Sequence, residues 1–230
     1  RKKPAAPDLT PFLELSEKHV FPLLEKQLKD PSPEVRKDAL ELLERHNVFS
    51  DRFLSLICGM LEDPDQYVAN HAYQWIYKVA KEKAIPVLLA LLVQDFEITR
   101  GRYRLLTLLE RYSEDIVFSN KHYDLFLALL DDDQVRKYAF QLLFSKNEGV
   151  MRFLDALKRY PEAKAVATLK NGWSYIRENE AFQDYLWKQI KDTEKPYLAE
   201  VCLERVISGN FQNQDIPLEI LKYAFVEKQG

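Results

Sequence analysis

One short phrase recurs along this chain: DPSPEVRKDALELL at 30–43, DPDQYVANHAYQWI at 63–76 and DDDQVRKYAFQLL at 131–143. Val35, Val68 and Val135 share one slot in it, Ala39, Ala72 and Ala139 the next, and Leu43, Ile76 and Leu143 the third. The valines stand 33 residues apart and then 67, which is twice 33 plus one. A fixed period of that length belongs to stacked architectures, in which each unit is too small to bury its apolar face without its neighbours. The expected fold is therefore all-α: an α-solenoid of about six helical hairpins plus a terminal helix. It is expected to occupy 10–230 as a single domain, behind a linker or tail at 1–9 that holds two prolines and no periodic apolar pattern.

From Thr10 onward the apolar residues keep a helical spacing and never alternate as strands do. Thr10 and Pro11 read as a cap and a first-turn proline, and Phe12, Leu15, Val20, Leu23, Leu24 and Leu28 form the stripe of a first helix running to about Lys29. Asp30-Pro31-Ser32-Pro33 must end it, because proline restricts the residue before it and cannot continue the hydrogen-bond ladder. A second helix is expected over 34–46. Later pairs are expected at 50–61 with 66–81, 83–94 with 98–112, 121–130 with 134–144, 150–160 with 162–178 and 181–191 with 196–208, followed by a single helix at 216–227. In the third pair the register passes through Gly101, Leu105 and Leu109, and close packing is expected to offset the cost of a glycine inside a helix.

Composition narrows the function classes. Hydrophobic residues make up 47% of the chain, enough for a continuous core. The 33 basic and 36 acidic residues nearly cancel, leaving a net charge of −3. A nucleic-acid binder draws most of its affinity from phosphate neutralisation and would be basic, so no nucleic-acid partner is expected. The two cysteines, Cys58 and Cys202, lie about four repeats apart and need no disulfide between them. That suits a reducing, cytoplasmic setting. No apolar run approaches the length of roughly 18 residues that a spanning helix needs, so no direct membrane insertion is expected. The chain begins Arg1-Lys2-Lys3 without a Met and reads as a piece of a longer protein, its basic start a polar linker or the flank of a preceding membrane helix.

The Asp-Pro break, a Val followed by Arg, an Ala four residues after the Val, and a closing Leu-Leu pair together resemble HEAT repeats. The arginine slot holds Arg36, Arg102 and Arg136, with Ala69 and Ala199 in the second and sixth repeats. Phe21-Pro22-Leu23-Leu24, Ile85-Pro86-Val87-Leu88 and Ile216-Pro217-Leu218 resemble the proline kink of HEAT first helices. The resemblance covers nearly all of 10–227, most closely in repeats one, two and four. It implies a scaffold for another protein and supplies no catalytic residue. By the family pattern the slot arginines bond aspartates of the inter-helix turns and form a ladder, with Asp30, Asp63 and Asp131 or Asp132 as acceptors.

Signals for chemistry are missing. His19, His46, His71 and His122 lie far apart, and neither a His-x-x-x-His nor a Cys-x-x-Cys pair is present. Six glycines form no phosphate loop, and no Gly-x-Ser-x-Gly stands in the chain. Asp131-Asp132-Asp133 reads as the acidic start of a helix rather than a cation site. HEAT-like DNA glycosylases would need tryptophans and an aspartate facing DNA. One turn after Trp75, Trp173 and Trp187, however, stand Val79, Arg177 and Lys191. The chain is expected to be no enzyme and to need no metal or other cofactor. The alternatives are a nucleic-acid-binding or DNA-glycosylase-like protein on the same HEAT scaffold, or a regulatory domain of a larger, membrane-anchored protein.

In HEAT stacks the second helix of each pair lines the concave face. If Val35, Ala39 and Leu43 face the core, positions 38, 41 and 45 point to a neighbouring stripe. Carried along the repeat, that stripe collects Asp38, Glu41 and Arg45, then His71, Gln74 and Lys78, then Arg104, Thr107 and Arg111 with Arg100 nearby. Beyond these come Tyr138, Gln141 and Ser145, then Thr168, Asn171 and Tyr175, and Glu204 in the sixth repeat. The expected site is a groove of cationic, amide and tyrosine side chains centred on His71, Gln74, Lys78, Arg104, Thr107, Arg111, Tyr138, Gln141, Asn171 and Tyr175. Its expected partner is another protein or an acidic peptide segment. Tyr73, Tyr77, Phe182 and Tyr185 fall at core spacing and are expected to serve packing.

Overall fold

The computed structural model describes residues 18–94, 99–176 and 179. The tail at 1–9, the sixth pair, the helix at 216–227, Trp187, Cys202 and Glu204, and the side chain of Arg100, lie outside the described residues. Its contacts group the chain into two compact units, Arg1–Tyr112 and Ser113–Gly230. The described residues are all-α, with no strand among them.

In the first unit three helical hairpins follow one another in chain order. They are α1 (Phe21–Leu28) with α2 (Pro33–Arg45), α3 (Asp51–Gly59) with α4 (Gln66–Trp75), and α5 (Ile85–Gln94) with α6 (Thr99–Arg111). First helices pack on first helices and second on second, α1 to α3 to α5 and α2 to α4 to α6. The three-slot phrase forms the seam. Ala39, Leu43, Val68, Ala72, Ile76, Leu105 and Leu109 are all buried, with Phe53, Leu40, Ile57, Leu61 and Trp75 filling the layers between them. Val35 departs from this pattern and is only half-buried. Burial of each leucine, isoleucine or phenylalanine among them stabilises by about 1.5–3 kcal/mol.

Turn chemistry sets where the helices stop. After α2, Asn47 adopts a left-handed φ of 52°, and the Val48 and Asn47 N–H groups donate back to the Leu43 and Glu44 carbonyls at 2.9 and 3.0 Å, a Schellman closure. Ser50 then caps α3, and Asp65 caps α4 by accepting the Tyr67 and Val68 N–H groups at 2.9 and 3.0 Å. The second pair is less regular than its periodicity implies. A 3₁₀ turn, Met60–Glu62, closes α3, and α4 passes into a π-helical turn, Ile76–Ala80, that ends at Lys81 with φ 51° and ψ −133°. A non-glycine residue there is strained, and Trp75 fixes the segment that leads into it. Its indole N–H donates to the Val48 carbonyl at 3.2 Å, and its ring stacks on Phe49 at 6.1 Å between centroids. Gly101 is buried against Glu62, whose side chain occupies the space a Cβ would take, so close packing does accompany this helical glycine.

The second unit holds α7 (Asn120–Leu129) with α8 (Arg136–Phe144) and α9 (Asn147–Arg159) with α10 (Glu162–Ile176). α8 begins two residues later than the spacing predicts. Asp132 accepts the Gln134 N–H at 3.0 Å, and this turn delays the helix. Ser119 and His122 form a reciprocal capping box at the start of α7. Phe126, Phe140, Phe153, Leu142 and Leu143 make the core.

Candidate interaction face

The second helices α2, α4 and α6 lie side by side in the first unit, and the side chains between them meet at one recurring spacing. Lys78 donates to Glu44 at 2.6 Å, 34 residues back. Arg104 donates through Nε and Nη2 to Asn70 Oδ1 at 3.2 and 3.0 Å, again 34 residues back. Arg111 places its guanidinium 4.2 Å above the Tyr77 ring, and 111 minus 77 is 34 once more. Each of these three cations is thus held by a side chain of the preceding hairpin. His71 sits between two carboxylates of α2, with Nε2 3.4 Å from Glu41 and Nδ1 3.8 Å from Glu44. Glu41 also lies 3.7 Å from Arg45.

Other expected members behave differently. Thr107 turns its hydroxyl back to the Tyr103 carbonyl at 2.7 Å, satisfying its own helix, and Gln74 is half-buried. In the second unit Tyr138 and Gln141 are half-buried on α8 and Asn171 is exposed on α10. Tyr175 lies flat against the Phe140 ring, 5.6 Å between centroids and 12° from parallel. Thr168, placed on the same stripe by spacing, is buried. The Phe140 ring fills the space that a Cβ on Gly172 would need, so α10 approaches α8 closely and this part of the stripe turns into the contact.

Tyr73 and Tyr77 were expected as packing residues. They stack on one another at 6.4 Å and 18°, half-buried, directly beside Arg111. Burial pushes the Tyr73 hydroxyl above its ordinary pKa while the Arg111 charge pulls it down, and Tyr103, Tyr77 and Glu110 push it up again. The 34-residue spacing from Tyr77 to Arg111 was the signal in the sequence that could have placed this pair on the face.

The arginine slot has a consistent geometry. Arg36 donates to the Asp30 carbonyl at 2.8 Å and Arg136 to the Leu130 carbonyl at 2.7 Å, in each case six residues back at the end of the first helix. A cation there complements the negative end of the helix dipole. Arg36 also reaches the next hairpin, gripping Asp63 with two bonds. Arg136 pairs with Asp133 rather than Asp131 or Asp132; here the valine follows the first aspartate by four residues instead of five, and the helix starts only at Arg136 itself. Asp132 is used by the Gln134 N–H, and Asp131 accepts from Lys164 at 2.7 Å. That bond holds the Lys164 ammonium above its ordinary pKa. Asp30 contributes its carbonyl to Arg36, and its carboxylate accepts the Ser32 N–H. Arg102 is half-buried on α6.

Both described tryptophans, Trp75 and Trp173, are buried and present no surface to a nucleic acid. Among the described residues no group of His, Cys, Asp and Glu is disposed to hold a metal ion, and no helix is long and apolar enough to cross a membrane.

Paired helices in chain order, an Asp-Pro turn and a bridging arginine are features of HEAT repeats. Residues 21–106 match the family model for HEAT repeats, and this stretch of the chain belongs to that family. HEAT repeats as a class are scaffolds for protein–protein interaction, typically without catalysis. A comparison with curated proteins gives no match.

Proposed function

We propose that this chain is a non-catalytic scaffold that binds an acidic segment of another protein along the face of α2, α4 and α6. The observation that carries this reading is the row of cations Lys78, Arg104 and Arg111, each held by a side chain 34 residues earlier at 2.6 Å, 3.0 Å and 4.2 Å. A cation already fixed in place loses less conformational freedom when an anion arrives. Arg111, exposed with its guanidinium 4.2 Å from the Tyr77 ring, is of the side-chain type that grips a carboxylate with two prongs. The tyrosines add amphipathic contact area of the kind enriched at interfaces. A cytoplasmic setting accords with Cys58, buried as a free thiol.

The test measures fluorescence polarisation of a labelled glutamate-rich peptide with the full chain at low salt. Binding is expected, and Arg104→Glu combined with Arg111→Glu should abolish it while helicity and melting temperature stay nearly unchanged. Retained binding in the double variant removes this face as the site. Gel shifts at low salt should show no retardation of duplex or single-stranded DNA.

A further inference from the structure

The three second helices of the first unit each finish on a cation. Arg45 and Arg111 are the last residues of α2 and α6, and Lys78 lies in the π-helical turn that continues α4. They stand 33 residues apart, at one position of three successive hairpins. The negative end of a helix dipole accounts for their sign. It does not account for how they are presented. The Glu41 side chain is 35% exposed against 70% for Arg45, and Glu44 19% against 52% for Lys78. Arg111 is exposed, with its guanidinium 4.2 Å from the half-buried Tyr77 ring. His71, between Glu41 and Glu44, joins the first two pairs into one cluster. In each pair the acceptor is the more buried member, so the row offers solvent a positive edge.

The row also has a pitch. Packed helices stand about 8–10 Å apart, so one hairpin step along the row is of that size. A polyproline II segment rises about 3.1 Å per residue and turns once in about three residues, so every third side chain returns to one side after about 9 Å. A β-strand puts residues three apart on opposite faces. An α-helix needs about seven residues for the same climb, and a segment rich in like charge repels itself into an extended form. Polyproline II is moreover a major conformer of unfolded chains, so little order has to be imposed on binding.

We infer, resting on the acidic-segment reading above, that the partner segment crosses α2, α4 and α6 as a polyproline II helix with a carboxylate at every third residue. Its carboxylates meet Arg45, Lys78 and Arg111 in turn, one per hairpin. Arg45 thereby joins the binding face. Arg104, which Asn70 holds about two turns before Arg111, lies off this row and adds only to the positive field of the face. Sequence specificity then comes from the spacing of the acids and not from their number.

Fluorescence polarisation of labelled peptides with the full chain at low salt tests this apart from the reading it rests on. The peptides share one proline- and serine-rich composition and differ only in whether their glutamates fall at every third residue, at every fourth, or consecutively. The every-third peptide should bind at least about tenfold more tightly than the others. Arg45→Gln, at an exposed position, should remove that advantage with helicity and melting temperature preserved. Equal affinities, or an advantage that survives Arg45→Gln, overturn the inference and leave an acidic segment as the partner. So does tightest binding by an alanine-rich helical peptide with a glutamate at every seventh residue. Failure of every peptide to bind overturns both.

Discussion

Arg36 joins two hairpins through a single carboxylate: its Nε meets Asp63 Oδ2 at 2.9 Å and its Nη2 meets Oδ1 at 2.7 Å. The same guanidinium holds the Asp30 and Pro31 carbonyls at 2.8 and 3.0 Å, so one side chain ties the end of α1 and the start of α2 to the turn before α4. The pair is largely shielded, with side chains 12% and 8% exposed. Removing one member leaves the other charged and poorly solvated.

Arg36→Met should therefore destabilise the first unit by about 3 kcal/mol, more than a surface ion pair of similar length. Urea unfolding would measure it. Arg52→Met, which breaks the exposed 2.7 Å pair with Glu25, is the control and should cost under about 1 kcal/mol.

Leu42 and Leu142 occupy one slot of the repeat but differ in environment, 42% exposed against 0%. In dilute solution Leu142→Ala should cost about 2–5 kcal/mol by leaving a cavity, and Leu42→Ala under about 1 kcal/mol. Leu43→Ala and Leu143→Ala, both at buried positions, should each fall in the larger range. Equal effects at 42 and 142 would contradict the burial pattern.

Two glycines should respond to different degrees when replaced by alanine. At Gly149 the new Cβ would run into the backbone carbonyl of Leu143, which cannot move without the helix, so Gly149→Ala should cost about 1–3 kcal/mol. At Gly101 it would meet the Glu62 side chain, nearest at its Cγ, so Glu62 must change rotamer to make room. Gly101→Ala should cost less than Gly149→Ala, because a side chain yields more readily than a helix backbone and alanine favours the helix by about 1 kcal/mol over glycine. Thermal melts of the two variants check the difference.

Burial pushes the Cys58 thiol up to about 12. The thiolate is the reactive form, so native protein at neutral pH should resist a thiol reagent and react only as fast as it unfolds. Rapid native labelling of Cys58, located by peptide mapping, would contradict this.

Hydrogen bonds from Lys29 and Arg52 hold the Glu25 carboxyl below its ordinary value near 4.5. A carboxyl depressed in the folded state contributes stability above its unfolded pKa and loses it as pH falls through the folded one. Between neutral pH and pH 3, the wild-type urea midpoint should thus decline more than that of Glu25→Gln. Parallel curves would show that the two bonds contribute nothing in solution.

Much of the local structure was legible from spacing. The Asp-Pro breaks, the buried alanine slot and the closing leucine follow from rules that act within one or two turns of chain, so Ala39, Ala72 and Ala139 could be placed in the core without knowing what they touch. The face was less legible. Spacing put Thr107 and Thr168 on the stripe, yet one bonds its own helix and the other is buried where α10 meets α8. It assigned Tyr73 and Tyr77 to packing, and Tyr77, stacked on Tyr73, carries the Arg111 guanidinium on its ring.

What this chain's sequence determines alone is the period and, with it, which positions of each hairpin turn inward, because apolar residues three and four apart define a helix face regardless of partner. Which charges meet across hairpins was decided only in three dimensions. Arg36 crosses to the next hairpin, whereas Arg136, at the start of a helix that begins late, bonds Asp133 of its own turn. The physical reason is reach: a side chain spans a few ångströms, so the offset and rotation between neighbouring helices, set by turn length and by bulky residues such as Trp75, determine which acceptor lies within hydrogen-bonding distance.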